Sequence, residues 1–370
     1  MSIVTEHSCK IKVELPPKDV HAQMEVFYNP VMKSNRNIAI LLLNSVENEQ
    51  MNIASPLAGS GIRELRFLKE LKPGKIKHIF VNDIKENFPK VFADNLKLNK
   101  LAKQKITFGN EDANLFLLNQ VKHCKEGEFC GYFDYIDIDP FGSPNPFLAS
   151  AVARITRNGI ITITATDTAA LTGTYPKVTK RKYWAKTVRS YMMHEIGLRI
   201  LIRKVQLQGV QFDKALIPIL AYHKDHYLRV YFRSLKSKEK CDELLKQHQY
   251  LLLNPKTVEF KASEFNQEKG FDYFGPLWTG RLFDRKLLTK MKTENPFPEE
   301  QKFLDLLCQE SKNDKTGFYD LHVIAKKYGL ETTKIEPVLK KVKGVRTQFS
   351  PTGIKTKAGI KEIVRAMKEK

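Results

Sequence analysis

The chain has 370 residues, 42% hydrophobic and 28% charged. That balance excludes collagen, low-complexity disorder and a disulfide miniprotein. At about 150 residues per domain it predicts two domains or one large one. Lys and Arg number 62 against 41 Asp and Glu, a net charge of +21, which favours nucleic acid as a partner or else reflects a solvated basic surface.

The longest clean apolar run, Ile38 to Leu43, is far below the roughly 20 residues that span a bilayer. The first 20 residues alternate charged and apolar types, so no signal peptide is expected. Five cysteines, an odd number with no C-x-x-C spacing, argue against a disulfide framework or zinc ribbon and for a reducing, cytoplasmic compartment.

In chain order, the apolar run Asn37–Leu43 opens or ends a helix. Met51–Ser55 reads as a strand running into Pro56-Leu57-Ala58-Gly59-Ser60-Gly61, followed by a helix over 62–71. Lys77–Asn82 is a buried strand, 86–98 a helix, Lys105–Phe108 a short strand and 113–123 a helix. Tyr132–Asp137 is a strand broken by Pro140-Phe141-Gly142. Phe147–Arg154 is helical, and the β-branched Gly159–Ala165 is a strand. A long helix is predicted over 184–205, then a hairpin of Ala215–Tyr222 and Tyr227–Phe232 around a short polar turn. Five strands with helical crossovers imply a doubly wound parallel α/β sheet, and the closing hairpin fits a class I methyltransferase-like Rossmann sheet. Beyond residue 235 the pattern predicts a charged helix over 236–246, loops over 250–280, three short helices over 297–343 and a Ser-Pro-Thr-Gly turn. The division is 1–235, with an N-terminal lid segment 1–50, and a smaller α/β domain 236–370.

The turn Ala58-Gly59-Ser60-Gly61 follows a strand and opens a helix, which suits close backbone approach to a ligand or simply a tight βα turn. Asp83 ends the next strand and could accept both hydroxyls of a ribose, while Asp112 ends the third and could meet an adenine amine. NAD and S-adenosylmethionine remain open on these three positions. Asp139-Pro140-Phe141-Gly142 separates them. An exocyclic base amine is a poor nucleophile, and the Asp139 carboxylate with the Pro140 carbonyl could hold its two protons, aiming its lone pair at a sulfonium methyl. Phe141 could stack on the base. The plainer reading is a strand-ending turn with a helix-capping Asp. Phe27 could form a second wall and Arg36 could fork onto a carboxylate, or the two could be an aromatic staple and a solvated cation. Lys177–Arg189 interleaves cations with Tyr183 and Trp184, either to grip an unstacked nucleotide strand or as an amphipathic helix start. His223 and His226 are read as structural.

These residues resemble the tRNA guanine-26 N2-dimethyltransferase family. The likeness runs through Val26-Phe27-Tyr28-Asn29-Pro30 with Asn35-Arg36, Gly61-Ile62-Arg63, Leu65-Arg66-Phe67, Asn82-Asp83-Ile84, Asp112-Ala113-Asn114, Asp137 to Pro144, Thr164 to Asp167, His194 to Gly197, Tyr222 to Tyr227 and Phe349 to Thr356. The resemblance implies a class I methyltransferase fold with a tRNA-holding C-terminal domain, and S-adenosylmethionine as donor. It implies one and then a second methylation of the guanine N2. By the same likeness Arg36, Arg63, Asp83, Asp112 and Ala113 contact the cofactor, with Arg66 one turn further on. Asp139 and Pro140 bind the amine, and Phe27 and Phe141 enclose the base. Asp167 matches without a role. Ser55 stands where relatives often carry an acid. Cys241 and Cys308 are too few for the zinc cluster of some relatives, so no metal is expected. No membrane and no obligate protein partner are expected, and the chain should be a monomer.

Overall fold

The computed structural model describes residues 2–13, 27–120 and 130–369. Val26 and the predicted helix end at His123 lie outside them. The chain divides into two compact units.

The first unit comprises Met1–Ala165, Tyr231–Lys236 and Glu294–Glu300. It opens with the antiparallel hairpin β1 (Ser2–Glu6) and β2 (Cys9–Val13), whose alternation places Cys9, Ile11 and Val13 inside. Helix α1 (Lys33–Ser45) contains the predicted apolar run, buried from Ile38 through Leu43. Then β3 (Met51–Ser55), α2 (Ile62–Glu70), β4 (Ile76–Asn82), α3 (Phe88–Leu98), β5 (Ile106–Gly109), α4 (Ala113–Asn119), β6 (Phe133–Ile138), α5 (Leu148–Arg154) and β7 (Ile155–Ala165) alternate as expected. β3 pairs in parallel with both β4 and β6; β4–β5 and β6–β7 are also parallel. Central strands covered on both faces must be apolar throughout, and Ile53, Ala54, Ile79, Val81, Tyr135, Ile136, Ile161 and Ile163 are fully buried. The returning segment Glu294–Glu300 completes this unit. Ser34 Oγ donates to Glu300 at 2.7 Å, Asn37 Nδ2 donates to Glu300 at 3.0 Å, and Arg66 lies over the Phe297 ring.

The second unit comprises Thr166–Val230, Ser237–Thr293 and Gln301–Lys370. Its first helices are α6 (Thr168–Leu171), α7 (Pro176–Tyr183) and α8 (Met193–Val210). The single helix predicted over 184–205 is therefore corrected. Trp184 adopts φ +54° and ends α7, and the next helix begins nine residues later. Apolar spacing continues through the break, so periodicity did not reveal it. The predicted hairpin forms from β8 (Lys214–Lys224) and β9 (Tyr227–Lys236), turning at Asp225 with φ +49°. The main sheet has seven strands in the order β5-β4-β3-β6-β7-β9-β8.

After α9 (Lys238–Leu245), the segment predicted as loops instead holds three strands, β10 (His248–Leu253), β11 (Phe260–Ser263) and β12 (Asp272–Trp278), in the order β11-β10-β12. Long polar connections between short strands mimicked an irregular segment. Helices α10 (Arg285–Thr293) and α11 (Gln301–Glu310) lead to β13 (Tyr319–Asp320), α12 (Leu321–Tyr328), α13 (Ile335–Lys341), β14 (Val345–Thr347), β15 (Ser350–Lys355) and α14 (Ile360–Lys368). Ser350-Pro351-Thr352-Gly353, expected as a turn, is the first part of β15, paired with β13 and β14. Ile324, Val338, Ile354 and Ile363 form the core there. Lys355, fully buried, is 3.0 Å from Glu195 and 3.2 Å from Glu310.

Candidate active site

In an open α/β sheet the carboxyl ends of neighbouring strands diverge where the connections change direction, and ligands bind there. Here that point lies between β3 and β6. The residues singled out at the ends of β3, β4, β5 and β6 all belong to the first unit.

The turn after β3 needs its glycines. Gly59 and Gly61 have φ +58° and +75°, and a Cβ on Gly61 would stand 2.3 Å from the Phe92 ring. Asp83 closes this turn from β4. Its carboxylate accepts the Gly59 N–H at 2.8 Å and the Lys85 N–H at 3.1 Å. Asp112 caps α4 by accepting the N–H groups of Asn114 and Leu115 at 2.9 and 3.2 Å, and leaves Ala113 buried at the first helical position. Between them stands Asn82, part of the family likeness but with no role assigned from sequence. Fully buried, its Nδ2 donates to the Pro56 carbonyl at 3.0 Å and the Glu111 carbonyl at 2.9 Å, and its Oδ1 accepts the Glu111 N–H. One amide therefore ties together the turns that follow β3 and β5.

β6 ends at Ile138, and Asp139-Pro140 follow immediately. The guanidinium of Arg63, in the first turn of α2, donates to the Asp139 carboxylate and to Asn35 Oδ1 at 2.8 Å, and lies 3.4 Å from Asp137. Pro140 is buried, whereas Phe141 is half-exposed. The Phe27 and Phe141 rings meet edge to face with centroids 4.4 Å apart. The structure thus brings the two predicted walls together, and they must part to admit a flat base.

Arg36 and Arg66 converge on Glu6, a residue the sequence offered no signal for. Arg36 Nε donates to Glu6 at 2.7 Å and Arg66 Nη1 at 2.8 Å, while Arg66 also pairs with Glu70 and Tyr28 donates to Glu6 at 3.0 Å. Burial alone would raise the Glu6 carboxyl, but the two guanidiniums overcome it and hold it down to about 2.

Glu64, two residues into α2, is also buried. Burial pushes its carboxyl up to about 7, and the adjacent Ser55 hydroxyl and Arg63 offset only part of that rise. Ser55 Oγ, Glu64 Oε2 and Asn35 Nδ2 are buried without a partner of hydrogen-bonding geometry. Buried polar groups are ordinarily satisfied. This set of donors and acceptors around the start of α2 fits a ligand with a zwitterionic end.

A sheet of this order, parallel from β5 to β7 and closed by the β8–β9 hairpin, with a glycine turn after β3, acids ending the next two strands and Asp-Pro-Phe-Gly after β6, defines a class I methyltransferase fold. The chain belongs to the N2,N2-dimethylguanosine tRNA methyltransferase family, whose pattern matches residues 7–368. It is 37% identical to a tRNA (guanine(26)-N(2)/guanine(27)-N(2))-dimethyltransferase of Aquifex aeolicus, across 100% of this chain and 96% of that one. It is 36% identical to a tRNA (guanine(26)-N(2))-dimethyltransferase of Methanocaldococcus jannaschii, across 97% and 96%. Among solved structures it resembles Trm1 from Pyrococcus horikoshii in complex with S-adenosyl-L-methionine, with a TM-score of 0.86, 31% identity and 99% and 100% coverage.

Proposed function

We propose that the protein methylates the exocyclic N2 of guanine 26 in tRNA, once and then a second time, with S-adenosylmethionine as donor. The reading is carried by one observation: Asp139 and Pro140 follow the end of β6 and Arg63 joins Asp139 to the start of α2, beside the glycine turn. S-adenosylmethionine supplies an electrophilic methyl group. Everything else falls to the protein's own side chains and backbone.

Asp83 is positioned for the ribose, and Asp112 with Ala113 for the adenine. Arg63, and Arg36 and Arg66 through Glu6, shape the end that takes the amino-acid portion. The Asp139 carboxylate and Pro140 carbonyl accept the two amine protons, fix the lone pair in line and favour the positive charge that grows on nitrogen. Asp139 or water then receives the departing proton. Phe27 and Phe141 enclose the guanine, which must be unstacked first. The second methylation proceeds with one amine proton left to hold. Residues 1–235 carry this chemistry and 236–370 help hold tRNA. The protein works as a cytoplasmic monomer; among the described residues no helix is long and apolar enough to cross a membrane.

The test is methyl transfer to unmodified tRNA, with nucleoside mapping, for wild type and Asp139→Ala. N2-methylated guanine at position 26, lost in the variant while cofactor and tRNA still bind, supports the reading. Product undiminished by Asp139→Ala removes the mechanism. No product on tRNA, with transfer to another polynucleotide, removes the substrate.

A further inference from the structure

The run Lys177–Arg189 has no part in the chemistry above, and the structure gives it a shape. From Thr168 to His194 the sequence contains no Asp or Glu but carries Lys177, Lys180, Arg181, Lys182, Lys186 and Arg189, all exposed. Helix α7 is locked from beneath. Tyr183, fully buried, donates its hydroxyl to Asp167 at 2.7 Å, and the buried Thr179 hydroxyl donates to the Ala170 carbonyl. Asp167, which matched a family segment without a role, is thus the anchor of this helix. With that face fixed, Lys177, Lys180 and Arg181 point to solvent.

At the end of α7 the chain does something unusual. Helices that close on a left-handed residue ordinarily place Gly or Asn there, because a Cβ is strained at positive φ. Here the residue is Trp184, at φ +54°, with its side chain 54% exposed. The Lys204 ammonium lies over one face of the indole, 3.2 Å from the ring centroid. A cation on one face of an exposed indole leaves the other face for a second planar partner. Tyr175, 59% exposed, stands at the opposite end of α7. The left-handed backbone at Trp184 turns its indole out of the helix and into solvent, and an aromatic platform flanked by phosphate-binding cations is how proteins hold unpaired nucleotides.

We propose that Trp184 is a stacking platform for an unpaired nucleotide of the tRNA substrate, with Lys180 and Arg181 neutralising the flanking phosphates. The proposal rests on the tRNA reading above and adds an RNA surface outside residues 236–370. Charge complementarity selects the occupant, since an acid-free, cation-rich stretch repels basic partners and its aromatic platform suits a base.

The test uses the full chain and unmodified tRNA. The protein has two tryptophans, and Trp278 is buried, so tRNA should quench emission chiefly through Trp184. Trp184→Phe should lose that quench yet keep its affinity within about threefold, because Phe still stacks. Trp184→Ala should weaken tRNA binding about tenfold or more, with S-adenosylmethionine binding unchanged as the sign of an intact fold. Lys180→Ala with Arg181→Ala should lower the slope of log affinity against log salt by about 2. Wild-type tRNA affinity in Trp184→Ala, or an undiminished quench in Trp184→Phe, overturns the proposal. If the wild type fails to methylate tRNA yet tRNA still quenches Trp184, the enzymatic reading falls and the surface stands.

Discussion

The Arg63 guanidinium bonds the Asp139 carboxylate and, from its other terminal nitrogen, Asn35 Oδ1 at 2.8 Å. Asp139 is therefore oriented by a cation before any amine reaches it, and the planar fork holds two groups at once. A lysine there keeps the charge but not the fork. Arg63→Lys is expected to lower kcat about 10- to 100-fold while the KM for tRNA changes little. Steady-state methyl transfer measures both, and a change confined to KM would contradict the positioning role.

Asn82 should be intolerant of its closest isostere. Asn82→Asp keeps the shape but loses the two N–H donations to Pro56 and Glu111, leaving carbonyls facing a carboxylate. Both Asn82→Asp and Asn82→Ala are expected to cost about 2–4 kcal/mol and to weaken cofactor binding, with Asp no better than Ala. Urea unfolding and calorimetric titration read the two effects.

Glu64 predicts a decline of stability with pH. Its folded pKa of about 7 exceeds the ordinary 4.5, so between those values the unfolded chain holds fewer protons and gains on the folded one as pH rises. The loss is on the order of 3 kcal/mol across the window and constant above it. Glu64→Gln should abolish that slope and be the more stable form at pH 8. Equal pH profiles for the two chains would refute it.

Glu6 acts in the opposite direction at lower pH. Its carboxyl, held at about 2, contributes stability that is complete above pH 4.5 and disappears as pH falls towards 2. Glu6→Gln should destabilise the protein at pH 7 by about 3 kcal/mol or more, since two guanidiniums lose their buried partner. It should make little difference near pH 2, where urea unfolding of the two chains should coincide. Taken together, these two carboxyls place their combined optimum near pH 4.5.

The strands from β3 to β7 were legible because a buried strand and its flanking Gly, Pro or Asp are local signals. The ends of those strands were equally legible, and Gly59, Gly61, Asp83, Asp112 and Asp139 are marked by their position in the chain alone. Trp184 misled because a helix stop is normally written as Gly, and here strain replaces it. β10 to β12 were missed because their connections are longer than the strands are apolar. Glu6 was invisible for another reason. It is 30 residues from Arg36 and 60 from Arg66, and nothing in a lone acidic residue says which cations it will meet. Glu64 reads on paper as an ordinary acid in the first turn of a helix, and only burial makes it exceptional.

The first unit is not finished where its last parallel strand ends. It waits for Phe297, which lies under Arg66, and for Glu300, which receives Ser34 and Asn37. On the ribosome, where domains tend to fold as they emerge, the first half of this chain must remain incomplete until Glu300 itself has been made. The part synthesised first therefore cannot close before residue 300 has been made, and a nascent chain stalled earlier would lack the carboxylate that receives Ser34 and Asn37.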